Sequence, residues 1–332
     1  TEILQNNDVK IDNHYIGKIN GLKLELDLKQ GALETDIKSL KKAARQSVTP
    51  ELEKRIDNII ETKIIELSND TKIYWNKFPI AKIIPGKDYL TPNLEIIVDE
   101  MLEQKQRQKL IDFLKKWLSE KINLELKSLI DLRSINQKNS SIKALAYQLY
   151  ENNGVLKRDQ VSDYLKSLGQ EERKILREIG VKFGRYHIYL FKLIKPEAVK
   201  LRTLLWKNFH QKYFKLNPPT FGLNFIEDKE KQNKNFMLLC GFEKFDNFFV
   251  RIDILERLFM QIINTNTDQK KDIKVVPEML NLLGCNKENF VSLLKKMNYI
   301  ITKKDEEFYF KYNPSKNKRS FNKKIISKEN PF

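Results

Sequence analysis

The chain has 332 residues, of which 41% are hydrophobic and 32% charged, and its formal net charge is +17. Its only cysteines, Cys240 and Cys285, exclude a disulfide scaffold and a cysteine zinc site, and favour a reducing, cytoplasmic location. No apolar run approaches the about 18 residues of a membrane span, so no membrane partner is expected. The positive charge favours a polyanionic partner, although an AT-rich genome can produce the same richness in lysine.

The first hundred residues (1–100) predict a small α+β module with two hairpins. Asn20-Gly21 is the preferred two-residue hairpin turn and separates the first two strands. A helix is predicted over 33–46, and Thr49-Pro50 predicts the start of a second helix that ends near Leu67. Strands are predicted at 14–19, 22–28, 73–75, 80–84 and 94–98.

Residues 101–216 predict a helical domain. Apolar side chains recur at i, i+3, i+4 and i+7 from Leu110 to Leu126, which indicates a long helix ending near Leu132. Shorter helices follow. Residues 179–206 come next, and we call them the signature block. In this block a glycine-punctuated strand leads into a helix that starts at Pro196.

The remaining residues predict three further parts. Adjacent prolines and a run of charge indicate a linker or mobile loop at 217–235. Residues 236–312 predict a winged-helix-like module, with strands at 236–241 and 248–250, helices at 253–263, 277–283 and 287–297, and a hairpin at 299–312. Residues 313–332 predict a basic disordered tail. The sequence shows no internal repeat of fixed period.

Patterns that signal catalysis are missing from this sequence. It contains no G-x-x-x-x-G-K-[ST] loop, no D-E-x-[DH] box and no G-x-S-x-G elbow. Its three histidines are too scattered to suggest a metal site. Asp253 and Glu256 lie three residues apart, but an ordinary ion pair between Asp253 and Arg257 is the favoured interpretation. We therefore predict no catalytic residue, no metal site and no cofactor in this chain.

Candidate RNA-binding residues lie in the signature block and near the C-terminus. Cations alternate there with rings, so the charges can meet phosphates and the rings can stack on bases at about 1–3 kcal/mol each. The alternative is that the rings are core and the lysines merely solvate the outer face. The candidates are Lys182, Arg185, His187, Lys192, Lys195, Lys200, Arg202 and Trp206 in the block, with Lys287, Lys295 and Lys296 in the last predicted helix.

Long, collinear motifs carry a family resemblance. The sequence G-V-K-F-G-R-Y-H-I-Y-L-F-K-L-I-K-P at 180–196, followed by L-L-W at 204–206, resembles the C-terminal region of bacterial relatives of the mitochondrial degradosome RNA helicase. The segment H-Y-I-G-K-I-N-G-L-K-L at 14–24 is similar to the hairpin behind the helicase core in that family. Segments 241–258 and 277–285 are similar to further blocks. Asn298 replaces a usual glycine and Phe191 a usual proline.

The resemblance spans about residues 8–312 and implies part of a superfamily-2 helicase. Such a protein is an ATP-driven hydrolase that moves 3′ to 5′ on RNA and serves RNA turnover. Its ATPase motifs would precede Thr1, so ATP and magnesium are implied for a core that is missing here. This chain would be an accessory region that binds single-stranded RNA, with an exoribonuclease as a further candidate partner, and we expect a monomer.

Two other functions are compatible with the same residues. One is a stand-alone winged-helix regulator that binds duplex DNA, and the other is a scaffold that docks a nuclease. The regulator predicts a preferred duplex sequence and a dimer, whereas the scaffold predicts little RNA affinity at moderate salt.

Overall fold

The computed structural model describes residues 2–11, 14–27, 34–135, 140–229, 231–265 and 272–313, with the side chains of 34–38 and 40 outside the description. The fold is α+β, as predicted, and combines helices with small antiparallel sheets. The chain divides into two compact units: residues 1–125 with 201–216, and residues 126–200 with 217–332. These bounds differ from the predicted 1–100 and 101–216, because the helix at 104–125 packs Leu110 and Leu114 into the core of the first unit.

The first unit contains two four-stranded antiparallel meanders, each in simple chain order. The hairpins predicted around Asn20-Gly21 and between 73 and 84 are confirmed, since the flanking strands pair in register. The strands are β1 (Glu2–Ile3), β2 (Asp8–Ile11), β3 (His14–Asn20) and β4 (Lys23–Leu26) in one sheet, and β5 (Glu66–Leu67), β6 (Lys72–Trp75), β7 (Phe78–Ile84) and β8 (Asn93–Ile96) in the other.

The two meanders are copies of one arrangement. A long helix follows each sheet, α1 (Glu34–Thr62) after β4 and α2 (Gln104–Glu125) after β8. The sequence I-G-K-I at 16–19 returns as I-A-K-I at 80–83, and each second strand carries a register shift against the third. Apolar side chains from both sheets and both helices form one core, so the duplicated parts share their hydrophobic stabilisation.

Helix α1 corrects the prediction of two separate helices. It runs through Pro50 without ending, although a proline inside a helix removes one backbone hydrogen bond. Thr49 was predicted as the N-cap of a new helix, but its hydroxyl donates to the carbonyl of Arg45 at 3.0 Å in the preceding turn. Val48, Leu52 and Ile56 on either side are fully buried, and their packing stabilises the helix across the proline.

The second unit is an alternation of short helices and hairpins. Short 3₁₀ turns follow β9 and β11 at Arg158–Val161 and Phe191–Ile194. The elements from residue 126 onward, in chain order, are α3 (Lys127–Arg133), α4 (Ser140–Glu151), β9 (Val155–Lys157), α5 (Ser162–Ser167), α6 (Gln170–Ile179), β10 (Val181–Phe183), β11 (His187–Leu190), α7 (Pro196–Phe209), β12 (Phe225–Glu227), α8 (Lys234–Leu239), β13 (Phe242–Phe245), β14 (Phe248–Arg251), α9 (Ile252–Thr265), β15 (Ile273–Lys274), α10 (Pro277–Leu283), α11 (Lys287–Lys296), β16 (Tyr299–Lys304) and β17 (Glu307–Tyr312).

One sheet topology occurs three times in the second unit. The sheets have the orders β10-β11-β9, β14 between β12 and β13, and β17 between β15 and β16, so an earlier strand always pairs with the second strand of a hairpin. A helix precedes each hairpin, and a residue with positive φ joins the two: Gly180 (110°), Gly241 (88°) and Asn298 (66°). Asparagine tolerates this left-handed conformation better than most residues. The helices α6 and α11 have ten residues each, and α8 has six.

Two predictions between residues 217 and 241 are wrong. The predicted linker at 217–235 contains β12, which pairs with β14 inside a sheet. The predicted strand at 236–241 is the helix α8, which Asn233 caps by accepting a hydrogen bond from the backbone N–H of Phe236 at 2.9 Å. A short apolar run does not by itself distinguish a strand from a buried helix.

The last elements lie where they were predicted. Helices α10 and α11 and the hairpin of β16 and β17 occupy 277–312. Asn286 caps α11 by accepting a hydrogen bond from the N–H of Asn289 at 2.8 Å, and Phe290 and Phe310 are fully buried in the shared core. The tail predicted at 313–332 lies outside the described residues except for Asn313.

Candidate nucleic-acid interface

The predicted RNA-binding residues divide into an exposed and an interior group. The exposed ones are cations on strand β10, on the turns after it, at the start of α7 and at the end of α11. His187, Arg202 and Trp206 are buried. Lys287 is half-buried, and the exposed residues are Lys182, Arg185, Lys192, Lys195, Lys200, Lys295 and Lys296.

His187 is not available to a ligand at the surface, which corrects the prediction for this residue. It is 3% exposed and lies on β11 between two buried carboxylates. Its Nε2 lies 3.3 Å from Oε2 of Glu243, and its Nδ1 lies 3.4 Å from Oε1 of Glu256, a charge contact rather than a well-formed hydrogen bond. The sequence offered no sign of these partners, which are 56 and 69 residues away.

Arg202 and Trp206 are likewise interior residues, against the prediction. Arg202 is fully buried, and Trp206 is 9% exposed and stacks on Tyr213 with ring centroids 5.1 Å apart. Every residue from 201 to 208 is buried, so this part of α7 has no solvent-facing side. Helical periodicity predicts that Arg202 lies on an outer, solvent-facing side of α7. The prediction is wrong because this part of the helix has no such side.

The rings of the signature block face inward or are covered by cations. Tyr189 is buried, and Tyr186 shares a hydrogen bond of 3.1 Å with the hydroxyl of Tyr299. The guanidinium groups of Arg173 and Arg177 lie 5.7 and 5.6 Å from the centroid of the Phe183 ring. Tyr189 therefore belongs to the core, whereas Phe183 and Tyr186 are half-buried and already contact neighbouring side chains.

Two exposed lysines share one ring, and we call Lys182, Phe191 and Lys195 the lysine pad. The Nζ atoms of Lys182 and Lys195 lie 5.9 and 4.8 Å from the centroid of the Phe191 ring, which is half-buried. Cation–π attraction holds both ammonium groups near the ring while leaving them hydrated. The pad therefore presents two positioned positive charges to solvent.

Arg185 lies at the tip of the β10–β11 hairpin, which one carboxylate fixes in place. Glu256 accepts hydrogen bonds from three successive backbone N–H groups, those of Arg185 at 2.5 Å, Tyr186 at 2.8 Å and His187 at 2.8 Å. A Cβ at Gly184 would lie 2.4 Å from the carboxyl carbon of Glu256, so a larger residue here would displace that carboxylate.

The expected ion pair between Asp253 and Arg257 is absent from the described contacts. Asp253 instead receives two hydrogen bonds from Arg251, at 2.7 and 3.1 Å. Arg251 ends strand β14 directly before α9, so its side chain reaches the first turn of that helix.

A cavity of about 410 Å³ lies beside the β10–β11 turn. Residues from all three hairpin segments of the second unit line it. We call it the basic cavity. Arg158 was missed as a site residue; its Nη1 donates to the carbonyl of Gly184 at 2.7 Å. In the sequence, the adjacent basic pair at 157–158 is the only sign that Arg158 could belong to a site. The hairpin that Arg158 contacts is 26 residues away. The charged side chains that line the cavity are Lys157, Arg158, Asp159, Arg185, Glu243 and Lys296.

Electrostatics favour a protonated His187 beneath the cavity. Burial acts to lower the pKa of His187, but the hydrogen bond to Glu243 and the negative charges of Glu243 and Glu256 outweigh it and raise the pKa. Burial acts to raise the pKa of Glu243, and its contacts with His187 and Lys157 more than offset this and lower it. Lys157 lies 2.7 Å from the Glu243 carboxylate.

The candidates on α11 make specific contacts. The Nζ of Lys287 donates to the carbonyl of Glu306 at 3.3 Å, and Lys296 pairs with Asp246 at 2.7 Å. Lys295 is exposed. Lys287 and Lys296 are therefore partly occupied by local partners, and Lys295 points its charge into solvent.

No cluster of three or more metal-binding side chains occurs within the described ranges. No helix in the same ranges is long and apolar enough to cross a membrane. Comparison of the chain with protein families, curated proteins and solved structures found no match.

Proposed function

We propose that this chain is an accessory region of an ATP-dependent RNA helicase that binds single-stranded RNA and supports unwinding and RNA turnover. In this proposal the helicase core binds ATP and magnesium, and the present residues hold the strand. The chain acts as a cytoplasmic monomer, and an exoribonuclease is a candidate partner. The family resemblance of the signature block supplies the link to a helicase.

The lysine pad is the observation that carries RNA binding. Lys182 and Lys195 are exposed and positioned over one ring, and Lys192 and Lys200 add exposed charge within the same block. Cations with covered or buried rings suit the phosphate backbone better than the bases. The expected binding is therefore salt-dependent and tolerant of RNA sequence.

Replacing both Lys182 and Lys195 with glutamine is expected to weaken binding to a single-stranded RNA about tenfold at 0.1 M salt. Loss of two phosphate contacts should also reduce the slope of log K against log salt by about 1.4. Anisotropy titrations at four salt concentrations measure both quantities. The matched control replaces Lys143 and Lys174, two exposed lysines outside the block, and removes the same net charge. If the two double variants weaken RNA binding equally, the lysine pad contributes only non-specific electrostatic attraction to the RNA.

A second candidate function is duplex DNA binding by the winged-helix-like module predicted at 236–312. The order of α9, β15, α10, α11, β16 and β17 is compatible with a winged helix, and Lys295 is exposed at the end of α11. A regulator of this type should prefer duplex DNA over single-stranded RNA, and Lys295→Gln should weaken it. Failure to bind either nucleic acid at moderate salt would favour the nuclease-docking scaffold.

A further inference from the structure

We propose that the basic cavity binds a phosphate monoester, the group that ends an RNA strand or a free nucleotide. Where the ligand is the end of an RNA strand, the proposal rests on the RNA-binding function proposed above. It concerns Arg158 and Arg185 rather than the lysine pad, so the two ideas can be tested separately.

The cavity lining has an excess of positive charge. Lys157 already contacts Glu243 at 2.7 Å, and Lys296 contacts Asp246 at 2.7 Å. The two arginines have no carboxylate within ion-pair distance among the residues that the structure describes. Without His187, the lining holds four basic side chains, Lys157, Arg158, Arg185 and Lys296, against two acidic ones, Asp159 and Glu243.

Both guanidinium groups are held in place before a ligand arrives. Arg158 donates from Nη1 to the carbonyl of Gly184 at 2.7 Å, which leaves its other N–H groups for an anion. The guanidinium carbon of Arg185 lies 5.6 Å from the ring centroid of Phe259 and 5.8 Å from that of Tyr312. Positioned donors lose less entropy on binding, so the site is preorganised.

The charge of a monoester matches this pair. Burial and then the positive charges of Arg185 and Arg173 lower the pKa of Arg158, while Glu256 acts in the opposite direction. The arginines therefore repel each other, and an anion between them would relieve that repulsion. A phosphate monoester carries about −1.5 to −2 at pH 7. A phosphodiester inside a strand carries a single negative charge and would leave one guanidinium uncompensated.

The shape of the cavity favours an end group. Four buried side chains, His187, Glu243, Leu255 and Met297, form the inner wall of the cavity. Phe245 and Tyr312 add half-buried rings to the wall. A volume of about 410 Å³ is typical of single-ligand sites with apolar walls and a few charged groups. A cavity of this size can accept a single terminal nucleotide.

The test compares three versions of one RNA decamer with an internal fluorophore, ending in a 5′-phosphate, a 3′-phosphate or hydroxyl groups only. Anisotropy titrations use the full chain at a single salt concentration, with uridine monophosphate as competitor. One phosphorylated decamer should bind about tenfold tighter than the hydroxyl decamer, because two charge-assisted contacts are added. R185Q should remove this advantage and leave the hydroxyl decamer bound.

R158Q is the second variant, and circular dichroism confirms the fold of both. Equal affinity for all three decamers, with no competition by uridine monophosphate, would overturn the proposal, as would a phosphate advantage that survives in both variants. Direct binding of uridine monophosphate without any decamer binding would support a monoester site whose ligand is a nucleotide, while refuting RNA binding. K182Q combined with K195Q should weaken all three decamers equally.

Discussion

Replacing Glu256 with glutamine should lower the free energy of unfolding by about 2–3 kcal/mol, because a charged acceptor of three backbone N–H groups is lost. The amide oxygen can still accept from Tyr186 and His187, which both bond to Oε1. The amide nitrogen would then face the N–H of Arg185, which bonds to Oε2 in the wild type. Donor would meet donor at a partly buried site, so this bond becomes a repulsive contact.

Urea unfolding followed by circular dichroism measures the effect of this substitution. Glu197→Gln is the matched control, because Glu197 is exposed on α7 and pairs with the exposed Lys200 at 3.1 Å. It should change the free energy of unfolding by less than about 0.5 kcal/mol. A Glu256→Gln protein as stable as the control would show that the carboxylate does not hold the β10–β11 hairpin.

Stability should also fall as the pH rises above neutrality, and His187 should cause this fall. Its pKa in the folded protein is raised, so protonation stabilises the fold fully below the unfolded value of about 6.5 and is lost as the pH passes the raised pKa. Each unit of that shift corresponds to about 1.4 kcal/mol. The charged groups around His187 are Glu243 and Glu256, with Lys157 and Arg158 beyond them.

His187→Gln should remove this pH dependence. At pH 6 the variant should be about 2–4 kcal/mol less stable than wild type, since the buried carboxylates lose a cationic partner, and the difference should shrink by pH 9. His210→Asn is the control: burial and then Lys212 lower the pKa of His210, so its contribution has the opposite sign. Urea midpoints at pH 6, 7.5 and 9 measure the effect. A wild type and a His187→Gln variant with parallel pH profiles would contradict it.

Glu243 affects the stability of the fold in a different pH range. Its pKa in the fold is lowered, so its contribution is present above the unfolded value of about 4.3 and is lost as the pH falls further. Together, the two groups place maximal stability between about pH 4.5 and 6.5.

Local chemistry predicted much of the fold. Asn20-Gly21 located the first hairpin, and Pro196 located the start of α7, because turn and cap preferences act over a few residues. Tertiary packing decided the elements that were predicted wrongly. Buried neighbours carry α1 through Pro50, and an apolar run after Asn233 forms a helix rather than a strand.

The site was only partly predictable for the same reason. Lys182 and Lys195 were identified from the alternation of charges and rings, and both are exposed. His187 fits the same pattern yet is buried, because its partners Glu243 and Glu256 lie on distant elements. Arg158 stood outside the signature block and was not considered. Pairing across distant hairpins, which creates the basic cavity, has no short-range signature in the sequence.

The salt dependence of RNA binding tests the central claim most directly. A labelled single-stranded RNA of twenty nucleotides and a duplex DNA of the same length are titrated with the full chain at 50 and 200 mM salt. Four exposed lysines of the signature block, each contacting a phosphate, predict a slope of about −2.8, and hence about fiftyfold weaker RNA binding at the higher salt. They are Lys182, Lys192, Lys195 and Lys200. The account predicts that slope together with a preference for RNA. Salt-independent binding, or a preference for the duplex, would contradict it.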